Sequence, residues 1–429
     1  MDSFSAILLA FLAGFIFLYQ RWSRPILWST KPLFSRKPMT TQSTSDASES
    51  STHGVFKEPD LPLDWLVGTQ TFELEKRAIF SKTWICLAHR SRFHKPGDYQ
   101  SFTLAGFPLF LILGKDGEVR AFHNVCRHRA YTITKKESGS TPVLGCRYHG
   151  WSYNTFGALI KAPHFDGLPS FDKAQNGLFQ ISAVTSGAGF VFVNLEVVTA
   201  VEGPDVGLLD AFAGRGGLVS RNTSPWVAGG AIEGAFNWKL GVKLLHLDTQ
   251  RLEKEVAPTP WLANLINCFQ RRQGSCTLFP TTSVATIHGT RWWYMINLLP
   301  LAPEKTLVRC DLHCSERASK AQVEKTMDKL MVLLQENVRE IEVEYRTLTD
   351  ASRESYIPSA SKESEGHQTA ILERLQEHVK LEKAQGSQIH PAMRKRRENP
   401  QFEQAEQLCQ SLDCVASAGM DISSNAPAW

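Results

Sequence analysis

Apolar and polar positions divide the chain into stretches of different rhythm. Residues 4–19 are almost continuously apolar, and Arg21 and Arg24 follow at once. Only Asp2 carries a charged side chain before the run, and Gln20-Arg21-Trp22 stands where a cleaved signal peptide would have small residues. Residues 1–22 therefore read as a transmembrane signal anchor. The run is short against the ~20 residues of an ordinary span, which suits the thinner endoplasmic-reticulum bilayer. By the positive-inside rule the arginines place the folded part on the cytosolic side. Residues 23–58 turn polar, rich in Ser, Thr and Gly between Pro38 and Val55, as in a flexible linker.

From Leu61 the rhythm becomes that of a folded domain. Residues 73–83 predict a short amphipathic helix. Runs at 100–104, 108–113, 118–122 and 189–195 alternate or stay apolar between turn residues such as Lys115-Asp116-Gly117, which predicts a small all-β domain over 59–200. Beyond 200 the pattern changes. Strands are expected at 291–300 and 306–313, and Met327, Leu330, Leu334, Val338 and Ile341 recur three or four apart, a helical stripe across 323–345. A polar linker at 359–368 and a second helix at 370–383 follow. The fold class is α+β: an N-terminal membrane anchor, an all-β domain, then a helix-flanked antiparallel sheet over 201–429.

Composition narrows the function. A chain of 429 residues, 42% of them apolar, is long enough for two cores. Its net charge of +4 and the lack of a basic patch interleaved with aromatics give no support to a nucleic-acid partner. The nine cysteines are too unevenly spaced for a secreted disulfide framework. Cys86, Cys268, Cys276, Cys310, Cys314, Cys409 and Cys414 read as reduced thiols, in keeping with a reducing compartment.

The other two cysteines carry the chemistry. Cys126-Arg127-His128 and Cys146-Arg147-Tyr148-His149 read C-x-H, seventeen residues, C-x2-H, each after an apolar stretch. Two thiolates and two imidazoles on matched loops are the ligand set of a Rieske [2Fe-2S] cluster, in which histidine replaces cysteine on one iron and raises the potential. A Cys2His2 zinc site is the alternative for the same donors. The C-x-H start is too short for a zinc knuckle, and no helical H-x3-5-H follows. Neither loop has a second cysteine, so the disulfide brace of respiratory Rieske proteins is ruled out. His123 and His164 read as ordinary polar loop residues.

The stretch from about Trp84 to Leu195, through Asn124-Val125-Cys126-Arg127-His128-Arg129 and Cys146-Arg147-Tyr148-His149-Gly150-Trp151-Ser152-Tyr153, resembles the Rieske domain of ring-hydroxylating and choline-monooxygenase-like oxygenase α subunits. That resemblance implies that Cys126, His128, Cys146 and His149 bind the cluster. It also implies a mononuclear Fe(II) held by two histidines and a carboxylate in the second domain, electrons from an NAD(P)H-dependent flavin reductase or a ferredoxin, a small organic substrate, and a homotrimer.

The family's iron motif begins here as Asn237-Trp238-Lys239 and then departs. In one register Lys243 and Leu247 stand at the acidic positions and Gln250 and Glu255 at the histidines. A register one residue longer recovers Asp248 but puts Arg251 and Val256 at the histidines. His246 and Asp248 are the nearby substitutes, and Asp350, Glu377 and Glu382 the candidates for the late-helix carboxylate, with His378 standing where a Glu-Asp pair might be expected; solvated or partly buried polar positions are the plainer reading of all of them. The segment before Leu278 also looks shorter than in the family. Two functions remain open: a Rieske-type monooxygenase or dioxygenase, and an electron-transfer or binding protein that keeps the cluster without the mononuclear iron. The basic stretch at 391–399 reads as a solvated face, or as a dock for an acidic reductase.

Overall fold

The computed structural model describes residues 64–166, 171–196, 202–216, 218, 225–249, 252, 274–287, 290–351 and 362–391. Chain entry is helical. Helix α1 (Thr69–Glu75) runs into a π-helical turn, Lys76–Phe80, and together they bury Phe72, Ile79 and Phe80. The helix predicted at 73–83 thus begins four residues early and ends at Phe80.

Strands β1 (Ile85–His89), β2 (Asp98–Leu104), β3 (Phe107–Leu113), β4 (Val119–His123), β5 (Ser138–Ser140), β9 (Gln180–Thr185) and β10 (Phe190–Asn194) form a seven-stranded sheet in the order β1-β10-β9-β4-β3-β2-β5. The pairings are antiparallel. The Asp116-Gly117 turn between β3 and β4 is as predicted: Asp116 accepts from the Glu118 N–H, and Gly117 takes φ +86°. Strands β6 (Val143–Gly145), β7 (Ser152–Asn154) and β8 (Leu159–Lys161) make a separate three-stranded sheet.

After helix α2 (Gly207–Gly216), strands β11 (Trp226–Gly234), β12 (Ser275–Leu278), β13 (Thr282–Thr286), β14 (Trp292–Ala302) and β15 (Lys305–Cys314) form a five-stranded sheet in the order β11-β15-β14-β13-β12. Helix α3 (Trp238–Gly241) precedes a 3-10 turn, Val242–His246. Helix α4 (Lys320–Ala351) covers one face of the sheet, and the predicted stripe of Met327, Leu330, Leu334, Val338 and Ile341 is buried against Ile232, Val308, Cys310 and Leu312. Each such aliphatic side chain contributes about 2 kcal/mol by leaving water.

The seven- and five-stranded sheets are joined by polar contacts as well as apolar ones. Thr282 Oγ1 and Asn297 Nδ2 donate to the Cys86 carbonyl at 2.8 and 2.6 Å. Asp311 accepts from Arg92, just after β1, at 3.0 Å, and within its own sheet from the Trp226 indole at 2.7 Å.

An all-β unit followed by a helix-flanked antiparallel sheet is the architecture expected. Two expectations need correction. The stretch 359–368 is not a linker throughout: helix α5 spans Lys362–Gln385, because its polar residues are mostly good helix formers and Ile371 and Leu375 anchor it in the core. The membrane-anchored placement is also not upheld, since no helix among the described residues is long and apolar enough to cross a membrane. The apolar run at 4–19, the linker at 38–55 and, apart from Pro391, the basic stretch at 391–399 lie outside the described residues.

Candidate metal centre

The two Cys-His loops repeat one backbone design. The Cys126 N–H donates to the Tyr131 carbonyl and the Cys146 N–H to the Trp151 carbonyl, both at 2.8 Å. The Cys126 and Cys146 carbonyls accept from Ala130 N–H and Gly150 N–H at 2.9 and 3.0 Å. Ala130 and Gly150, each four residues after its cysteine, share the left-handed conformation, at φ 54° and 71°. The residue at that corner folds the loop back, so the histidine on it faces the opposite loop.

The donors meet in pairs. The imidazoles of His128 and His149 stand edge to face with centroids 4.6 Å apart. The Cys126 and Cys146 thiols hydrogen-bond to each other; this bond draws Cys146 below the ordinary thiol range and, together with burial, drives Cys126 above it. Backbone N–H groups of Tyr148 and His149 point to the Cys146 sulfur, and that of His128 to the Cys126 sulfur. Dipoles so aimed favour negative charge on sulfur, the state in which a cluster is bound.

Rigid neighbours hold the loops. Trp151, wholly buried, stacks on His128 with ring planes 7° apart, and Phe165 packs on both rings. Tyr153 from β7 reaches across to the first loop, its hydroxyl 3.2 Å from the Cys126 sulfur and accepting from the Arg127 N–H at 3.1 Å. Asn124 pins the far end of that loop, accepting from the Ile133 and Thr134 N–H groups and donating to the Thr134 carbonyl. Gly157, at φ +78°, lies against Phe122, and a Cβ there would sit 2.3 Å from the ring. His128 is buried and His149 half-buried, so His149 is the more accessible edge of the site.

This donor set fits a [2Fe-2S] cluster: sulfurs face each other and imidazoles face each other, two ligands for each iron. Among the described residues no three His, Cys, Asp or Glu side chains converge on a single-ion position. His123 is buried on β4, and burial lowers its pKa to about 4; His164 is exposed at φ 69°.

The second half keeps the frame of the iron motif, and among the described residues no group of metal donors accompanies it. Asn237 caps α3 by accepting from the Lys239 N–H, and donates to the Leu66 and Pro303 carbonyls at 3.0 and 2.7 Å. Trp238 donates its indole N–H to Glu75 at 2.7 Å, and Lys239 forms a buried ion pair with the same carboxylate. Lys243 pairs with Glu344 at the surface, and His246 and Asp248 are exposed. The positions of Gln250, Arg251, Glu255 and Val256 lie outside the described residues. Asp350 and Glu377 are exposed. His378 is buried and bonds Glu382 at 3.1 Å, while Glu382 also accepts from Arg77 at 2.7 Å. The polar pair on this helix is therefore a structural clamp. Glu75, Asn124 and Tyr153 are the contributors that sequence reasoning passed over. Asn124 and Tyr153 had a signal, their places within the two quoted motifs; Glu75 had none.

The Rieske [2Fe-2S] domain family matches residues 83–172. The carnitine monooxygenase oxygenase subunit of Acinetobacter pittii (strain PHEA-2) is 39% identical over 142 residues, 33% of this chain and 38% of that protein. The toluate 1,2-dioxygenase α subunit of Pseudomonas putida is 33% identical over 171 residues, 39% of this chain and 36% of that protein. The chain thus aligns with well under half the length of these relatives. The crystal structure of the quaternary ammonium Rieske monooxygenase CntA with L-carnitine superposes with a TM-score of 0.58 at 26% identity, covering 74% of this chain and 95% of that one. Naphthalene 1,2-dioxygenase from Rhodococcus sp. shares the fold, with a TM-score of 0.57 at 17% identity over 73% of this chain and 93% of that one. Residues 83–172 are a Rieske [2Fe-2S] domain, in a chain homologous to the oxygenase subunit of carnitine monooxygenase and to the α subunits of aromatic dioxygenases.

Proposed function

We propose that this chain is a Rieske-type oxygenase, with Cys126, His128, Cys146 and His149 as the cluster ligands. The observation that carries the reading is the pairing of the two loops, thiol to thiol and imidazole to imidazole, on one repeated backbone design. The bound cluster would supply one-electron transfer at a potential raised by its two imidazoles. His149, at the accessible edge, presents the side from which a reductase or ferredoxin delivers electrons. Trp151 and Phe165 keep water from His128, and Tyr153 and the loop N–H groups stabilise charge on the sulfurs. Residues 59–200 form the cluster domain in this reading, and residues 201–429 the domain that would act on O2 and a small organic substrate. A homotrimer is the expected assembly.

A second reading, a cluster protein that transfers electrons without oxygenation, is favoured by one observation. The Asn237-Trp238-Lys239 frame is intact, while Lys243, His246 and Asp248 after it face solvent. Iron analysis of the purified full-length protein with NADH, a flavin reductase and O2 separates the two. About three irons per chain with O2 uptake supports the oxygenase, and about two irons with cluster reduction but no uptake supports the carrier.

A further inference from the structure

The two cluster loops are joined by a connector with no apolar core. No residue from Lys135 to Val143 is buried, and its strand, β5, lies at the edge of the seven-stranded sheet. Apolar packing is thus missing where the first loop leads into the second, and polar bonds hold the connector instead. β5 pairs with β2, and the Thr141 N–H donates to the Gly97 carbonyl at 2.9 Å. Ser101 of β2 grips the start of the connector twice: its hydroxyl lies 2.7 Å from that of Thr134, and its N–H donates to the Glu137 carbonyl at 2.7 Å. Thr134 is also the residue whose backbone Asn124 binds at the far end of the first loop.

One side chain of the connector reaches the other sheet. Glu137 accepts from Arg309 of β15 at 2.7 Å, and the arginine side chain is 4% exposed against 64% for the glutamate. The buried partner is the fixed one. Arg309 Nε donates to Asp311 at 3.1 Å, and its guanidinium lies 5.4 Å from the centre of the Phe102 ring. Asp311 is held in turn by Arg92 and the Trp226 indole. Gly229 of β11, opposite Asp311, leaves the room for this: a Cβ there would lie 2.5 Å from the carboxylate and 3.5 Å from the Arg92 guanidinium. Two guanidiniums share the one buried carboxylate, so Glu137 supplies the charge that balances the network. A buried charge is costly without its partner, which gives the Arg309–Glu137 bond its hold on an otherwise exposed segment.

We propose that Arg309, itself held by Asp311, is a positioning residue for the cluster: through Glu137 it fixes the connector, and through the connector the spacing of the Cys126 and Cys146 loops. A residue of the five-stranded sheet thereby sets the geometry of a site in the other domain. This role rests on the assignment of Cys126, His128, Cys146 and His149 as cluster ligands.

Two measurements on the full-length protein test it together: hydrogen exchange of the peptide 135–143, read by mass spectrometry, and the electron paramagnetic resonance spectrum of the dithionite-reduced cluster. Glu137→Ala, a change at an exposed position, should speed exchange of that peptide about fivefold and broaden the resonance lines as the loops take up more than one spacing. Glu137→Gln keeps an oxygen that accepts from Arg309, and should restore most of both readouts. Arg309→Lys keeps the charge but cannot hold Asp311 and Glu137 in the same way, and should resemble Glu137→Ala; if it does not fold, the Glu137 variants decide alone. Lys136→Ala, exposed on the same connector, should match the parent. Parental exchange or parental line shape in Glu137→Ala would overturn the proposal, as would an equal change in Lys136→Ala or no recovery in Glu137→Gln. A parent protein without the Rieske resonance would refute the cluster assignment and this role with it, whereas a parent that shows the resonance and an unaltered Glu137→Ala would refute this role alone.

Discussion

The loops at Cys126 and Cys146 and the segment after Asn237 start from equally intact motifs and end differently. In the loops, backbone design and chemistry coincide: the same hydrogen bonds that shape each turn aim its histidine and its N–H groups at the site. After Asn237, the backbone design is kept, and the described residues that follow, Lys243, His246 and Asp248, are exposed. Asn237, Trp238 and Lys239 are bound to Leu66, Pro303 and Glu75, which are structural partners, and nothing in those bonds requires an iron nearby. A motif shared with an enzyme family can thus have a folding role of its own.

The sharpest way to break that contrast is to show that Asn237-Trp238-Lys239 serves chemistry instead of folding. Lys239→Met leaves the Glu75 carboxylate buried without its cation, and should cost about 3–5 kcal/mol in urea unfolding while the cluster spectrum of the folded fraction is unchanged. A variant of parental stability that has lost iron would reverse the assignment.

A smaller effect probes the loops. Tyr153→Phe removes the hydroxyl beside the Cys126 sulfur. That hydroxyl favours the electron-rich reduced state, so its loss should lower the reduction potential by roughly 40 mV, about 1 kcal/mol for one electron. Redox titration of parent and variant measures it, and an unchanged potential would leave Tyr153 a packing role only.

The smallest effect concerns the late helix. Burial works to raise the Glu382 carboxyl, but hydrogen bonds from Arg77 and the Ile389 N–H outweigh it and hold the group down to about 2, against an ordinary 4.5. Because the folded value is depressed, the stabilisation is complete above 4.5 and fades as pH falls toward 2. Glu382→Gln should therefore unfold at a lower temperature than the parent at pH 7, with the gap closing as pH falls below 4.5. A gap independent of pH would remove the ionic clamp from the account.

Local signals made much of this readable in advance. The α4 stripe, the Asp116-Gly117 turn and the main strands follow from periodicity and turn chemistry, and the cluster donors from their types and spacing. What stayed hidden depends on distant residues. Glu75 meets Lys239 from another element far along the chain, and Asn124 acts through backbone groups ten residues away, which no side-chain pattern reports. Residues 362–368 read as a linker because they are polar, yet hydrophobic anchoring further along α5 decides their state.

The central claim is that Cys126, His128, Cys146 and His149 hold a two-iron cluster in like pairs. Mössbauer spectroscopy of the iron-57-enriched full-length protein tests it directly. The account predicts two inequivalent cluster irons, one in an all-sulfur environment and one with nitrogen ligands, and loss of both signals in Cys146→Ser. Two equivalent irons, or zinc in place of iron with no visible bands, would contradict it.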